Sequence, residues 1–82
     1  MNSDLTFCLY SGLNCSLCDV FRKNLDKRKL SYNLVDIETD PKLQHRYSTR
    51  IPVLVAGNTV ICEGKYDSGK IDAFFIDRQL TS

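Results

Sequence analysis

Apolar and polar positions along the 82-residue chain fall into short blocks whose spacing changes several times. "LTFCLYS" (5–11) is rich in aromatic and apolar residues and too short for a helix, so it reads as a buried strand. From about Cys15 to Leu30 the period lengthens. Leu17, Phe21 and Leu25 recur at i, i+4 and i+8 with Val20 beside them, which predicts a helix with those residues inward. Its outer face carries Arg22, Lys23, Asp26, Lys27, Arg28 and Lys29, and cations crowd the last turns, where they complement the helix dipole. "SYNLVDI" (31–37) alternates through Tyr32, Leu34 or Val35, and Ile37 as a second strand. A short helix over 39–49 has Asp40 as N-cap, Pro41 at its first position, and Leu43 and Tyr47 as one apolar edge. "IPVLVAG" (51–57) is a third strand, and the turn signal at Gly57–Asn58 leads into a fourth over 59–64, as an antiparallel hairpin. A last helix runs from about Ser68 to Leu80, with Ile71, Phe74 and Phe75 as its inner face.

The predicted order is β-α-β-α-β-β-α. A strand-helix-strand opening implies a parallel pair with a right-handed crossover, and the terminal hairpin extends the sheet in antiparallel fashion. The fold class is therefore α/β: one mixed four-stranded sheet with helices on both faces. The length leaves no room for a second core, so residues 1–82 are expected to form a single domain.

Composition narrows the function classes. With 43% hydrophobic and 26% charged residues the chain is ordinary for a soluble protein, and a formal charge of +1 gives no overall pull toward nucleic acid or membrane. No apolar run reaches the roughly 18 residues a bilayer demands. "MNSDLTFC" lacks the basic-then-apolar layout of a secretory signal, so a cytoplasmic protein is expected; a monomer is expected as well. The crowded cations at 22–29 suit either a solvated outer face or an acidic partner, and no aromatics interleave them as on a single-strand nucleic-acid surface.

In a reducing compartment the cysteines, Cys8, Cys15, Cys18 and Cys62, point to metal or redox chemistry. Cys15 and Cys18 stand in "YSGLNCSLCD", where a strand gives way to a helix. A thiolate at Cys15 would meet the free N–H groups and positive dipole of the helix start, which lower a thiol pKa from about 8.5 into the range of roughly 3.5–7.5. Cys18, one turn inward, is placed to resolve a mixed disulfide on Cys15. Zinc needs two further ligands, and no second Cys-x-x-Cys or His-x-x-x-His exists; Cys8, Cys62 and His45 belong to separate elements. Cys8 and Cys62 read as small apolar residues of buried strands. With strand order 2-1-3-4 they lie two strands apart, about 9.5 Å, too far for a disulfide. The second signal is "RIPVL" (50–54), a proline at a strand start. Arg50 beside it reads either as a solvated loop cation or as a partner for a substrate carboxylate.

The Cys-x-x-Cys and the "RIPVL" segment, in this order of elements, resemble the glutaredoxin branch of the thioredoxin fold over Leu5 to about Leu80. The nearest likeness is to short bacterial glutaredoxin-like proteins. The resemblance implies thiol–disulfide exchange and an electron-carrier role in cell redox homeostasis. Cys15 would attack and Cys18 resolve, with protein or low-molecular-weight disulfides as partners and glutathione or a thioredoxin-reductase-type protein as donor. No bound cofactor is implied; glutathione would be a co-substrate. Pro52 would be cis and packed against the thiols, Ile51 would offer its backbone N–H and C=O to a bound peptide or glutathione, and Tyr10 would wall the site. Gly64 and Asp67 match the family's Gly-Gly-x-x-Asp clamp for the γ-glutamyl end, but Glu63 replaces its first glycine. Gly12 stands where the family has a lysine, and Ser16 and Leu17 replace Pro and Tyr between the thiols. Two other functions fit the same likeness. One is a non-enzymatic module holding an iron–sulfur cluster between two chains through Cys15 and glutathione; the other is a partner-docking domain with incidental thiols.

Overall fold

A computed structural model describes residues 6–81, with side chains described as far as Asp77. The expected strand start at Leu5 and the side chain of Leu80 lie outside the described residues. Four strands, β1 (Phe7–Ser11), β2 (Asn33–Asp36), β3 (Val53–Ala56) and β4 (Thr59–Glu63), form one sheet in the order β2-β1-β3-β4. β1 and β2 are parallel, and the other pairs are antiparallel. Three α-helices, α1 (Ser16–Lys27), α2 (Pro41–Tyr47) and α3 (Ser68–Thr81), complete the predicted order, with a short 3-10 turn at Ile37–Thr39 before α2.

Period-two alternation divides the core between the two faces of the sheet. Phe7, Leu9, Leu54 and Ala56 point toward α1 and α3, where they meet Phe21, Leu25 and Ile71. Val53 and Val55 point the other way, onto Ile37 and Tyr47 beside α2. β3 is central, so all four of its residues are buried, in keeping with its unbroken apolar run. Phe74 and Phe75 of α3 close the first layer against Phe7, with ring centroids 6.0 and 5.7 Å away.

Three local departures from the sequence reading have physical causes. First, the buried stripe of α1 is Cys18, Phe21 and Leu25, while Leu17 and Val20 are each 51% exposed. Cys18 fills the inward position that the apolar pattern assigns to Leu17, because a thiol packs as a small hydrophobe. Second, Leu34 faces solvent on the edge strand, and Ile37, past the strand's end, is the residue that enters the core. Third, β4 carries a bulge: Val55 pairs with Val60 but Leu54 pairs with Cys62, leaving Ile61 as the extra residue. Ile61 and Cys62 are consequently both buried on the α1/α3 side.

α1 stops earlier than Leu30. Lys29 takes a left-handed backbone (φ 58°) and the Leu30 N–H donates to the Leu25 carbonyl at 3.1 Å, the closing bond of a Schellman-type end. Arg28 leaves the expected outer face. Its Nε donates to the Tyr66 hydroxyl at 3.0 Å and its Nη2 to Asp72 Oδ1 at 3.1 Å, tying α1 to α3. Arg28→Ala is expected to lower the unfolding free energy by about 1 kcal/mol, measured by urea denaturation. An unchanged midpoint would mean the tie contributes nothing.

Candidate functional site

The strand registers gather the chemically interesting segments at one end of the sheet. Ser11 is opposite Asp36, Tyr10 opposite Val53, and Val53 opposite Glu63. The loop after β1, the segment before β3 and the end of β4 therefore share one pole, together with the start of α1.

Asn14 supplies a left-handed residue (φ 51°), a conformation asparagine tolerates better than most, and turns the chain into α1. Cys15 is the N-cap. Its carbonyl accepts the Cys18 and Asp19 N–H groups at 3.1 and 3.3 Å, and its Sγ accepts the Cys18 N–H at 3.1 Å. Cys15 and Cys18 are joined as a disulfide with their Cα atoms 5.2 Å apart. Their surroundings differ: Cys18 is 2% exposed inside the helix–sheet layer, while Cys15 is half-buried at the surface. Leu13 and Leu17, both exposed, stand on either side of Cys15 in sequence.

Pro52 opens β3. The Ile51–Pro52 peptide bond is cis, the Pro52 ring is buried, and its carbonyl accepts the Gly64 N–H at 2.8 Å. The Ile51 N–H, which the resemblance assigns to a bound peptide, donates instead to the Tyr47 carbonyl at the end of α2, at 3.0 Å. Gly12 is close by: a Cβ added there would lie 2.9 Å from Ile51 Cδ1. Any larger residue at position 12 must push the tip of the Ile51 side chain aside.

Arg50 has a partner that neither sequence reading of it foresaw. Its Nε and Nη2 both donate to Glu63 Oε1, at 3.1 and 2.5 Å, and its guanidinium lies 5.3 Å from the centre of the Tyr47 ring. This pairing lowers the Glu63 carboxyl pKa and raises that of Arg50, chiefly through the hydrogen bonds between them. Tyr10 packs on the α2 face, stacked on Tyr47 with centroids 4.5 Å apart and planes 18° from parallel. Burial, reinforced by Tyr47, pushes its phenol upward, so Tyr10 stays a neutral hydroxyl.

Asp67 caps α3: its Oδ1 accepts the Lys70 N–H at 3.2 Å and its carbonyl the Ile71 N–H at 3.3 Å. Gly64 has φ +87°, a conformation suited to glycine, and its N–H is taken by Pro52. The two surviving clamp residues thus hold the β4-to-α3 connection together. Cys8 is half-buried and Cys62 buried, and both are free thiols. Burial raises the Cys62 thiol pKa, which keeps it protonated and a poor nucleophile. Among the described residues no three His, Cys, Asp or Glu side chains gather as a metal site, and no helix is long and apolar enough to cross a membrane.

The sequence reading missed Glu63 as Arg50's partner and Tyr47 as the ring beneath it. The signal for Tyr47 was absent, since residues three apart meet reliably only within a helix and Arg50 lies past the end of α2. The signal for Glu63 was absent, because the β4 bulge decides which residue reaches Arg50.

A family profile described as the glutaredoxin-like domain matches residues 6–76. No curated protein matches. Among solved structures, protein XcR50 from X. campestris is similar over 88% of this chain and 97% of its own, with 26% identity and a TM-score of 0.76. Protein Ne2328 from Nitrosomonas europaea is similar over 85% of this chain and 89% of its own, with 24% identity and a TM-score of 0.75. A mutant of the thioredoxin-like protein BC3987 shares the fold over 83% of this chain and 96% of its own, at 18% identity and a TM-score of 0.64.

Proposed function

Because the chain belongs to the glutaredoxin-like domain family, we propose that it is a thiol–disulfide oxidoreductase in which Cys15 attacks and Cys18 resolves. The observation that carries this reading is the unequal setting of the two sulfurs: Cys15 caps α1 at the surface, and Cys18 lies buried one turn behind it.

The steps balance. In the reduced protein the Cys15 thiolate attacks one sulfur of a disulfide RSSR′, the S–S bond breaks, and R′S⁻ leaves and takes up a proton. Cys18 then loses its proton and attacks Cys15 Sγ, releasing RSH and closing the protein disulfide. Two electrons pass from the protein to the substrate. A thiol reductant of the glutathione class or a dithiol protein reverses the change on the protein. At the first step the chain's own contribution is electrostatic. The Cys18 N–H that now meets Cys15 Sγ would donate to a thiolate there, and the helix dipole favours the same charge. A bound peptide would meet the Ile51 carbonyl beside Pro52, since the Ile51 N–H is already used. The exposed Leu13 and Leu17 side chains suit a substrate with apolar residues next to its disulfide.

Ultraviolet titration of thiolate absorbance in the pre-reduced protein tests the reading. One thiol is expected to ionise in the range of roughly 3.5–7.5 and to be the first alkylated. That signal disappears in Cys15→Ser and persists in Cys62→Ala. A Cys15 that ionises near 8.5, like a free thiol, would sink the mechanism.

A further inference from the structure

We propose that Glu63 is a specificity determinant of this site: it occupies Arg50 in place of a substrate carboxylate and biases exchange toward disulfides that carry no carboxylate near their sulfurs. The inference deepens the oxidoreductase reading and rests on it.

Arg50 sits two residues before Pro52, at the pole of the sheet where Cys15 emerges. A guanidinium there presents a planar fork that matches a carboxylate. The residues from Tyr10 to Cys18 include no lysine or arginine, so the thiol-bearing loop adds no cation of its own. Lys70 also acts on Glu63, and Arg46 lies 6.0 Å from the centre of the Tyr47 ring. Arg50, two residues from the proline, is then the fork an anionic substrate would meet first. Glu63 forestalls this. The β4 bulge advances the register by one residue and sets Glu63, instead of Cys62, opposite Val53. From there one carboxylate oxygen receives both Arg50 donors, and the guanidinium carbon lies 5.3 Å from the centre of the Tyr47 ring. Arg50 and Glu63 offset each other's charge.

The arrangement is a competition more than a fixed clamp. The two side chains keep 37% and 40% of their exposure, so the pair can open to solvent. Exposed pairs of this kind hold weakly and are screened by salt. Yet Glu63 is tethered, and a tethered group acts at an effective concentration in the millimolar range. A free carboxylate present at micromolar concentration does not displace it. Cationic and neutral disulfides face no such competitor, and a cationic one can gain from the glutamate itself.

The test uses pre-reduced protein in single turnover, quenched and alkylated for mass analysis, with three small disulfides. These are neutral bis(hydroxyethyl) disulfide, dianionic dithiodiglycolate and dicationic cystamine. The readout is the rate on each charged disulfide divided by the rate on the neutral one. In Glu63→Gln the anionic ratio is expected to rise about fivefold and the cationic ratio to fall, with both changes shrinking as salt is added. In Glu63→Gln combined with Arg50→Gln the anionic gain is expected to vanish. Glu63→Ser, with thermal melting to show folding, repeats the result with a shorter side chain. Wild-type protein that reduces the neutral disulfide, with an anionic ratio that does not move in either Glu63 variant, overturns the inference and leaves the exchange reading intact. Wild-type protein inert toward all three overturns both.

Discussion

Cys15→Ser is expected to reduce disulfide exchange to the background rate, whereas Cys18→Ser retains the first half of the reaction and stops there. The asymmetry follows from burial. Cys15 is at the surface of the helix start, and Cys18, 2% exposed, cannot meet a bulky disulfide directly. With Cys15 gone, the remaining thiol has neither access nor the cap position, so no mixed disulfide forms. With Cys18 gone, Cys15 still attacks, but no internal thiol resolves the adduct. Cys62 cannot substitute, because burial keeps it protonated and it lies on β4, beyond β3 from the strand that leads to Cys15. Mass spectrometry after incubation with a protein disulfide should find the Cys18→Ser protein joined to its partner through Cys15. Equal activity in both variants, or an adduct on Cys8 or Cys62, would contradict this division of labour.

Phe21→Ala should be the most damaging substitution in the core. Phe21 is fully buried at the centre of α1, packs on β1 and β3, and meets Tyr66 edge-on with centroids 5.4 Å apart and planes at 88°. Removing a buried phenyl costs about 3–5 kcal/mol through lost burial and an unfilled cavity. A domain of this length has a total stability of roughly 4–12 kcal/mol, from about 0.05–0.15 kcal/mol per residue. The variant therefore gives up a large share of its margin, and its urea midpoint should fall steeply. The thiols should suffer too, because the same ring holds down the helix whose first turn presents Cys15. A loss below about 1 kcal/mol would mean that the α1/α3 layer closes over the gap.

The element order, the two-faced sheet, the hairpin and the capped start of α2 were legible because each rests on local chemistry. Asp40 accepts the Lys42 N–H at 2.9 Å as its N-cap position requires, and Gly57, at φ +60°, turns the hairpin. The phase of α1 was harder. Leu17-Phe21-Leu25 and Cys18-Phe21-Leu25 are both helical stripes, and the choice depends on where the cap fixes the first turn. The end of α1 was illegible for a related reason: the left-handed residue that closes it is Lys29, where glycine or asparagine would have announced the stop.

The candidate site divides along the same line. The thiol pair and the proline could be found from motifs, since their chemistry depends on sequence neighbours. The pairing of Arg50 with Glu63 depends on one unpaired residue in β4, and side-chain alternation does not specify such an insertion.

The tip of the β3–β4 hairpin lies at the far pole of the sheet, where the Gly57 N–H donates to the Thr6 carbonyl at 3.1 Å. Gly57 and Asn58 are exposed, and a Cβ on Gly57 would touch nothing. That makes the hairpin tip a natural handle. A fluorophore or surface tether grafted at Asn58 leaves the sulfur end pointing outward, while the same cargo at Leu13 would sit on the doorstep of the reaction.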